Sequence, residues 1–153
     1  MTVPVAIALH LLASTIWVGG MFFAYMALRP AAAEILEPSV RLELWSQTFK
    51  RFFLWVWLAV ILIPLSGYWM ILQVWGSFST IGLDLKMMHI IGWVMILIFM
   101  FVFVVPYRRL KQALSDSDLN SAANALALIR KLVALNLTLG FIVIIIAGAG
   151  RYW

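Results

Sequence analysis

Two histidines, one lysine and a few methionines are the residues here that could do chemistry inside lipid. His10 lies in VPVAIALHLLASTIWVGGMFFAYMAL and His89 in LKMMHIIGWVMILIFMFVFVV. Both stretches are long enough to cross a bilayer, where an ionisable side chain is costly and marks a functional site by default. Facing imidazoles in a bundle can ligate haem iron axially or supply nitrogen to copper. Met70, Met87 and Met88 sit at the same level as the histidines, and thioethers favour Cu(I). Met87 and Met88 are adjacent, so at most one of them points easily at a given ligand. Lys86 precedes His89 by one helical turn and is a second candidate ligand beside it. The competing reading is structural. A membrane histidine can simply hydrogen-bond across helices, here to Ser14, Ser66 or Asn136. Methionine is common packing material, Lys86 can snorkel as an anchor, and Trp17 and Trp93 can be packing aromatics.

Helix periodicity sets how these residues are presented. His10, Ser14, Trp17 and Met21 share one face of the first hydrophobic stretch, with Gly19 and Gly20 available for close helix approach. Lys86, His89 and Trp93 share a face of the third, beside Gly92. Asn136 and Thr138 in the last stretch read as interhelical hydrogen-bonding residues.

The chain has 153 residues, of which 65% are apolar and only 11% charged. A water-soluble globule of that size has too little interior to hide so much apolar surface. The spans fall at about 3–28, 52–75, 86–107 and 132–150, each near the ~20 residues a crossing helix needs. Only helices satisfy their own backbone in lipid when no closed barrel is available. The fold class is therefore all-α, an integral membrane four-helix bundle forming one transmembrane domain over residues 1–153. No Lys or Arg precedes the first stretch and its apolar run exceeds a signal core, so it reads as a span rather than a cleaved leader. There is no cysteine, which removes disulfides and thiolate metal sites.

Nine of the eleven basic residues lie in two segments. Arg29, Arg41, Lys50 and Arg51 fall between the first two spans; Arg108, Arg109, Lys111, Arg130 and Lys131 fall between the last two. Only Lys86 and Arg151 lie on the other side. The positive-inside rule makes the bundle N-out and C-out in a bacterial inner membrane, with both histidines near the periplasmic face. Trp75, Phe78, Tyr152 and Trp153 would mark the outer interface, and Trp45, Trp55 and Tyr107 the inner one. The dispersed basic residues serve topology and do not suggest nucleic acid. The cytoplasmic segments are amphipathic: Leu42, Trp45 and Phe49 recur at helical spacing in Pro38–Lys50, which lies on the membrane or runs into the second span. Asn120–Lys131 behaves similarly after a turn at Ser115–Asp118. Pro64 interrupts the second span beside Ser66 and Gly67. Asp84 reads as a helix N-cap.

The halves match in spacing. His10 to Arg29 and His89 to Arg108 are both nineteen residues; Arg29 to Arg51 and Arg108 to Arg130 are both twenty-two. Each half has an outer histidine, a span, a basic end beside a proline (Pro30, Pro106), an amphipathic stretch and a return span. Such halves would be parallel repeats, although topology alone also draws basic residues to helix ends.

The segment LHLLASTIWVGGMFFAYMALRPAA resembles the first helix of the copper-resistance D (CopD) membrane family. KRFFLWVWLAVILIPLSGYWMI resembles the following helix, and IRKLVALNLTLGFIVIIIAGAGRYW is similar to the tail of short stand-alone members. The resemblance implies copper handling across the inner membrane, with His10 and His89 as nitrogen ligands and Met88 or Met70 as thioether partners. A more distant resemblance is to the HemJ-type protoporphyrinogen oxidases, with His10 and Lys86 at the matching positions. It implies haem b and electron transfer or porphyrinogen oxidation. The first helix departs from that pattern at WVGGMFF and RPAA. A third reading is an accessory subunit of a larger membrane complex. Membrane lipid, a periplasmic copper or redox partner, and a second copy of the chain are the partners these readings imply.

Overall fold

The computed structural model describes residues 2–149. The expected outer aromatics Tyr152 and Trp153, with Gly150 and Arg151, lie outside the described residues. Among the described residues there is no strand. The helices are α1 (Val3–Phe23), a short π-helical segment (Ala24–Leu28), α2 (Arg29–Ile35), α3 (Pro38–Trp75), α4 (Leu83–Val104), α5 (Pro106–Ser115) and α6 (Leu119–Ala149). They form four continuous or nearly continuous rods, each long and apolar enough to cross a membrane: Val3–Ile35, Pro38–Trp75, Leu83–Ser115 and Leu119–Ala149.

Four of the five prolines open helices. Pro4, Pro30, Pro38 and Pro106 occupy first turns, where a missing N–H leaves no hydrogen bond unmade. Pro64 stands inside α3 and removes the donor that Val60 O would otherwise receive. The amphipathic segments before the second and fourth spans run straight into them, as parts of α3 and α6. α3 ends at Gly76, whose φ of 76° is a left-handed conformation that suits glycine.

The helices pair by halves. α1 packs along α3; α4 and α5 pack along α6; α6 also touches α1 and α3 and joins the pairs. The matched sequence spacing has a structural counterpart. Each first helix breaks just before its proline, as a π segment before α2 and at Val105 before α5. A short helix, a turn and a long return helix follow in both halves.

The core at the basic end is aromatic. Phe53 stacks on Phe49 with ring centres 5.3 Å apart and meets Tyr107 and Phe99 edge-on at 5.0 and 5.5 Å. Trp45 and Tyr107, expected at the inner interface, are instead only 4% exposed. They sit on the core-facing stripes of α3 and α5, and burying their large rings is worth more than placing them at the headgroups. Trp55 is outward, as are Trp75 and Phe78. The outer surface of the rods carries Leu11, Leu12, Leu54, Leu97 and Ile145, a coat suited to acyl chains and too extensive for water.

Close helix approach uses fewer glycines than expected. Gly19 and Gly92 have open space where a Cβ would be, whereas a Cβ at Gly20 would strike the Phe52 ring. Gly140 was not expected: a Cβ there would stand 2.9 Å from a Val18 methyl and 3.4 Å from the Met95 methyl. It marks where α6 meets α1 and α4. Asp84 is in the first turn of α4 but does not cap it; Gly82 holds the N-cap position, in extended backbone. Its charge still suits the helix start.

Candidate functional site

His10 and His89 each take a partner from α3. His10 Nδ1 stands 3.1 Å from Ile63 O and 3.0 Å from Ser66 Oγ. A carbonyl oxygen can only accept, so Nδ1 carries the proton and donates. Ser66 Oγ donates onward to the carbonyls of Leu62 and Ile63, which leaves its lone pair for the imidazole. The assignment leaves His10 Nε2 deprotonated, with its lone pair available. Histidines that bind metals are commonly held this way, the second ring nitrogen donating to a backbone carbonyl to fix tautomer and orientation. The ring lies against Gly67, where a Cβ would make an ordinary contact 3.5 Å from His10 Cε1. Ser14 donates to His10 O at 2.8 Å and serves its own helix.

His89 is held in the opposite sense. Trp93 Nε1 is a donor only, and it stands 3.1 Å from His89 Nε2. Nε2 therefore accepts, and Tyr68 OH donates to the same nitrogen at 2.8 Å. The ring lies edge-on to Tyr68 and Phe78, with centres 4.9 Å away in both cases. Tyr68, Phe78, Lys86, His89 and Ile90 line a shallow surface pocket. Lys86 and His89 are thus brought together, as one-turn spacing implies.

The facing pair of imidazoles expected from the sequence is not what the helix faces give. Ser66 and Tyr68 are two residues apart on α3, so they project about 200° apart around its axis and only ~3 Å apart along it. The histidines lie at matching height but take hold of opposite sides of one helix. The reason is that α3 stands beside both α1 and the His89 end of α4. Met70 lies on the α3 face of Ile63 and Ser66, one turn from Ser66, and so belongs with His10. Met88 shares the face of buried Met95 and points away from the Lys86–His89 stripe. Among the described residues no three His, Cys, Asp or Glu side chains stand together. A metal bound here would have to complete its shell with thioether, amine or hydroxyl groups.

Ser66 was among the partners the sequence suggested for His10. Tyr68 and Phe78 were missed. Tyr68 follows Ser66 by two residues, but nothing in the sequence says that α4 leans its histidine against it. Trp93 was expected to pack and instead donates a hydrogen bond. The amide and hydroxyl of α6 also differ from expectation. Thr138 donates to Ala134 O in its own helix at 3.0 Å, and buried Asn136 Oδ1 has no partner.

Four apolar helical rods with lipid-facing surfaces define a multi-pass membrane protein. Residues 46–149 match the family described as copper resistance protein D. That is most of the chain, which belongs to the CopD family. No curated protein and no solved structure matches it.

Proposed function

We propose that this chain handles copper in the bacterial inner membrane, with both termini periplasmic and the histidine end of the bundle facing that side. His10 Nε2 is the principal nitrogen ligand, and Met70, on the same face of α3, supplies a thioether suited to Cu(I). His89, with Lys86 beside it, forms a separate and weaker contact nearer the surface, where copper is first met or passed on; Met88, turned away from that stripe, takes no part in it. Membership of a copper-resistance family makes copper the cargo to test. The observation that carries the reading is the Nδ1–H of His10 donating to Ile63 O, which fixes the ring and leaves Nε2 free.

The test is the protein purified in detergent, titrated with Cu(I) against a chromophoric chelator, with metal counting and an absorption spectrum. One copper per chain, lost in His10→Ala, is the expected result. Copper binding unchanged in His10→Ala overturns it. A Soret band that disappears in His10→Ala would replace copper with haem, and a colourless, metal-free protein that folds normally in both histidine variants would indicate the accessory role.

A further inference from the structure

Toward the end of the bundle opposite the histidines, α1, α3, α4 and α6 enclose a cavity of about 150 Å3. From Ser66 on α3 to Phe52 at the cavity is fourteen residues, or ~21 Å along the helix. Its walls are aromatic and aliphatic, with Trp17, Phe53 and Phe99 among them, and it holds almost no polar surface. One feature breaks the apolar lining. Asn136 is 3% exposed, lines the cavity, and has an Oδ1 with no hydrogen-bond partner.

An unpaired buried acceptor is unusual and asks for a donor. Water fits poorly: a buried water usually needs two to four polar partners, and besides Asn136 the lining offers only the Trp17 indole N–H and Thr48, whose hydroxyl hydrogen already goes to Leu44 O at 2.8 Å. There is room for several waters but few groups to hold them. An apolar body with a single donor fits better. Apolar cavities of about this volume accept a benzene ring, and flat rings suit edge and face contacts with aromatic walls. The cavity also reaches the lipid side. Phe23 lines it yet is 59% exposed, and Ala24 and Leu28 of the π segment form part of its rim. Such segments recur at functional sites. A molecule dissolved in the bilayer could thus arrive sideways.

We propose that this cavity binds a hydroxylated aromatic ring, the chemistry shared by free phenols and membrane quinols, with the ring between the aromatic walls and its O–H donating to Asn136 Oδ1. The site is independent of copper binding.

The test is thermal unfolding of the full chain in detergent, followed by circular dichroism, with phenol, with toluene (a methyl in place of the hydroxyl) and with a short-tailed benzoquinol kept reduced. In the wild type phenol raises the midpoint, and toluene binds roughly tenfold more weakly or worse for want of the donor. In Asn136→Leu the preference for phenol disappears. In Leu132→Phe, which fills the cavity from α6, both responses vanish. A quinol acting at lower concentration than phenol assigns the site to membrane quinols; phenol acting alone assigns it to free small aromatics. Equal responses to phenol and toluene in the wild type, or a preference that survives in Asn136→Leu, overturns the proposal. Should Asn136→Leu not fold, a phenol response undiminished in Leu132→Phe overturns it equally.

Discussion

The two halves of the bundle carry the same parts in the same order, yet their histidines do opposite things. His10 donates through Nδ1 to the Ile63 carbonyl and keeps Nε2 open; His89 accepts at Nε2 from both Trp93 and Tyr68. The difference lies partly on α3, which offers a carbonyl and a serine on one side and a tyrosine hydroxyl on the other, and partly on α4, where Trp93 donates to His89 from the next turn. Equal spacing in a sequence fixes height in the membrane, while the hydrogen-bond partners decide which nitrogen is left for chemistry.

Copper is the sharpest way to break this comparison. His10→Ala should weaken Cu(I) binding by at least about a hundredfold in the chelator competition, and His89→Ala by no more than about threefold. Ser66→Ala, which removes one of the two acceptors orienting the His10 ring, should cost roughly tenfold, as loss of an orienting partner usually does. Equal losses in the two histidine variants would mean that the halves act as one centre.

A second contrast is steric. Within the first half, α1 meets α3 where Gly20 lies under the Phe52 ring, the end of a side chain that can swing away. Between halves, α6 meets α1 through Gly140 against the stiff, β-branched Val18. Gly140→Val should therefore destabilise the bundle by about 1–3 kcal/mol, the usual cost of overpacking, and Gly20→Ala by less. Thermal unfolding in detergent reads both, and a larger loss at Gly20 would reverse the assignment.

Freeing His89 should narrow the difference between the rings. Tyr68→Phe combined with Trp93→Phe keeps the aromatic packing but removes both donors from Nε2. Acylation of His89 by diethyl pyrocarbonate, followed by mass spectrometry, should then become several-fold faster, with His10 unchanged. Unaltered reactivity would show that access, and not hydrogen bonding, protects His89.

Much of this was legible in the residues because lipid makes strong demands. Apolar runs had to become helices, Pro38 suited a first turn, and His10 had to find a polar partner such as Ser66; that Pro106 opens a new helix was not foreseen. What the sequence hid depends on rotation about helix axes. Tyr107 and Trp45 look like interface anchors until the core stripe of each helix is known. Asn136 looks like interhelical glue until its oxygen is found without a partner beside a cavity. The opposed histidines could not be foreseen either, since matching heights say nothing about which side of α3 each one meets.

The smallest contrast lies in the turns. Glu37 precedes α3 without a side-chain cap, and Pro38 alone starts the helix. The corresponding turn before α6 has Ser117 at φ 57° and then Asp118, whose carboxylate accepts from the Ser121 hydroxyl at 2.6 Å and the Ser121 N–H at 3.0 Å. These bonds, the hydroxyl first, hold the Asp118 carboxyl below the ordinary aspartate value near 3.8. A carboxylate bound more tightly in the folded state stabilises fully above its unfolded pKa, and that contribution is lost as pH falls through the lower folded value. The melting midpoint in detergent should therefore carry an Asp118-dependent decline below about pH 4. Asp118→Asn keeps a good capping side chain and should flatten that decline with little change at neutral pH. Asp118→Ala should lower the midpoint by a few degrees at neutral pH as well. Glu37→Gln should alter neither, because the Glu37 side chain makes no capping hydrogen bond. An acid limb untouched by Asp118→Asn would mean that the two turns are equivalent after all.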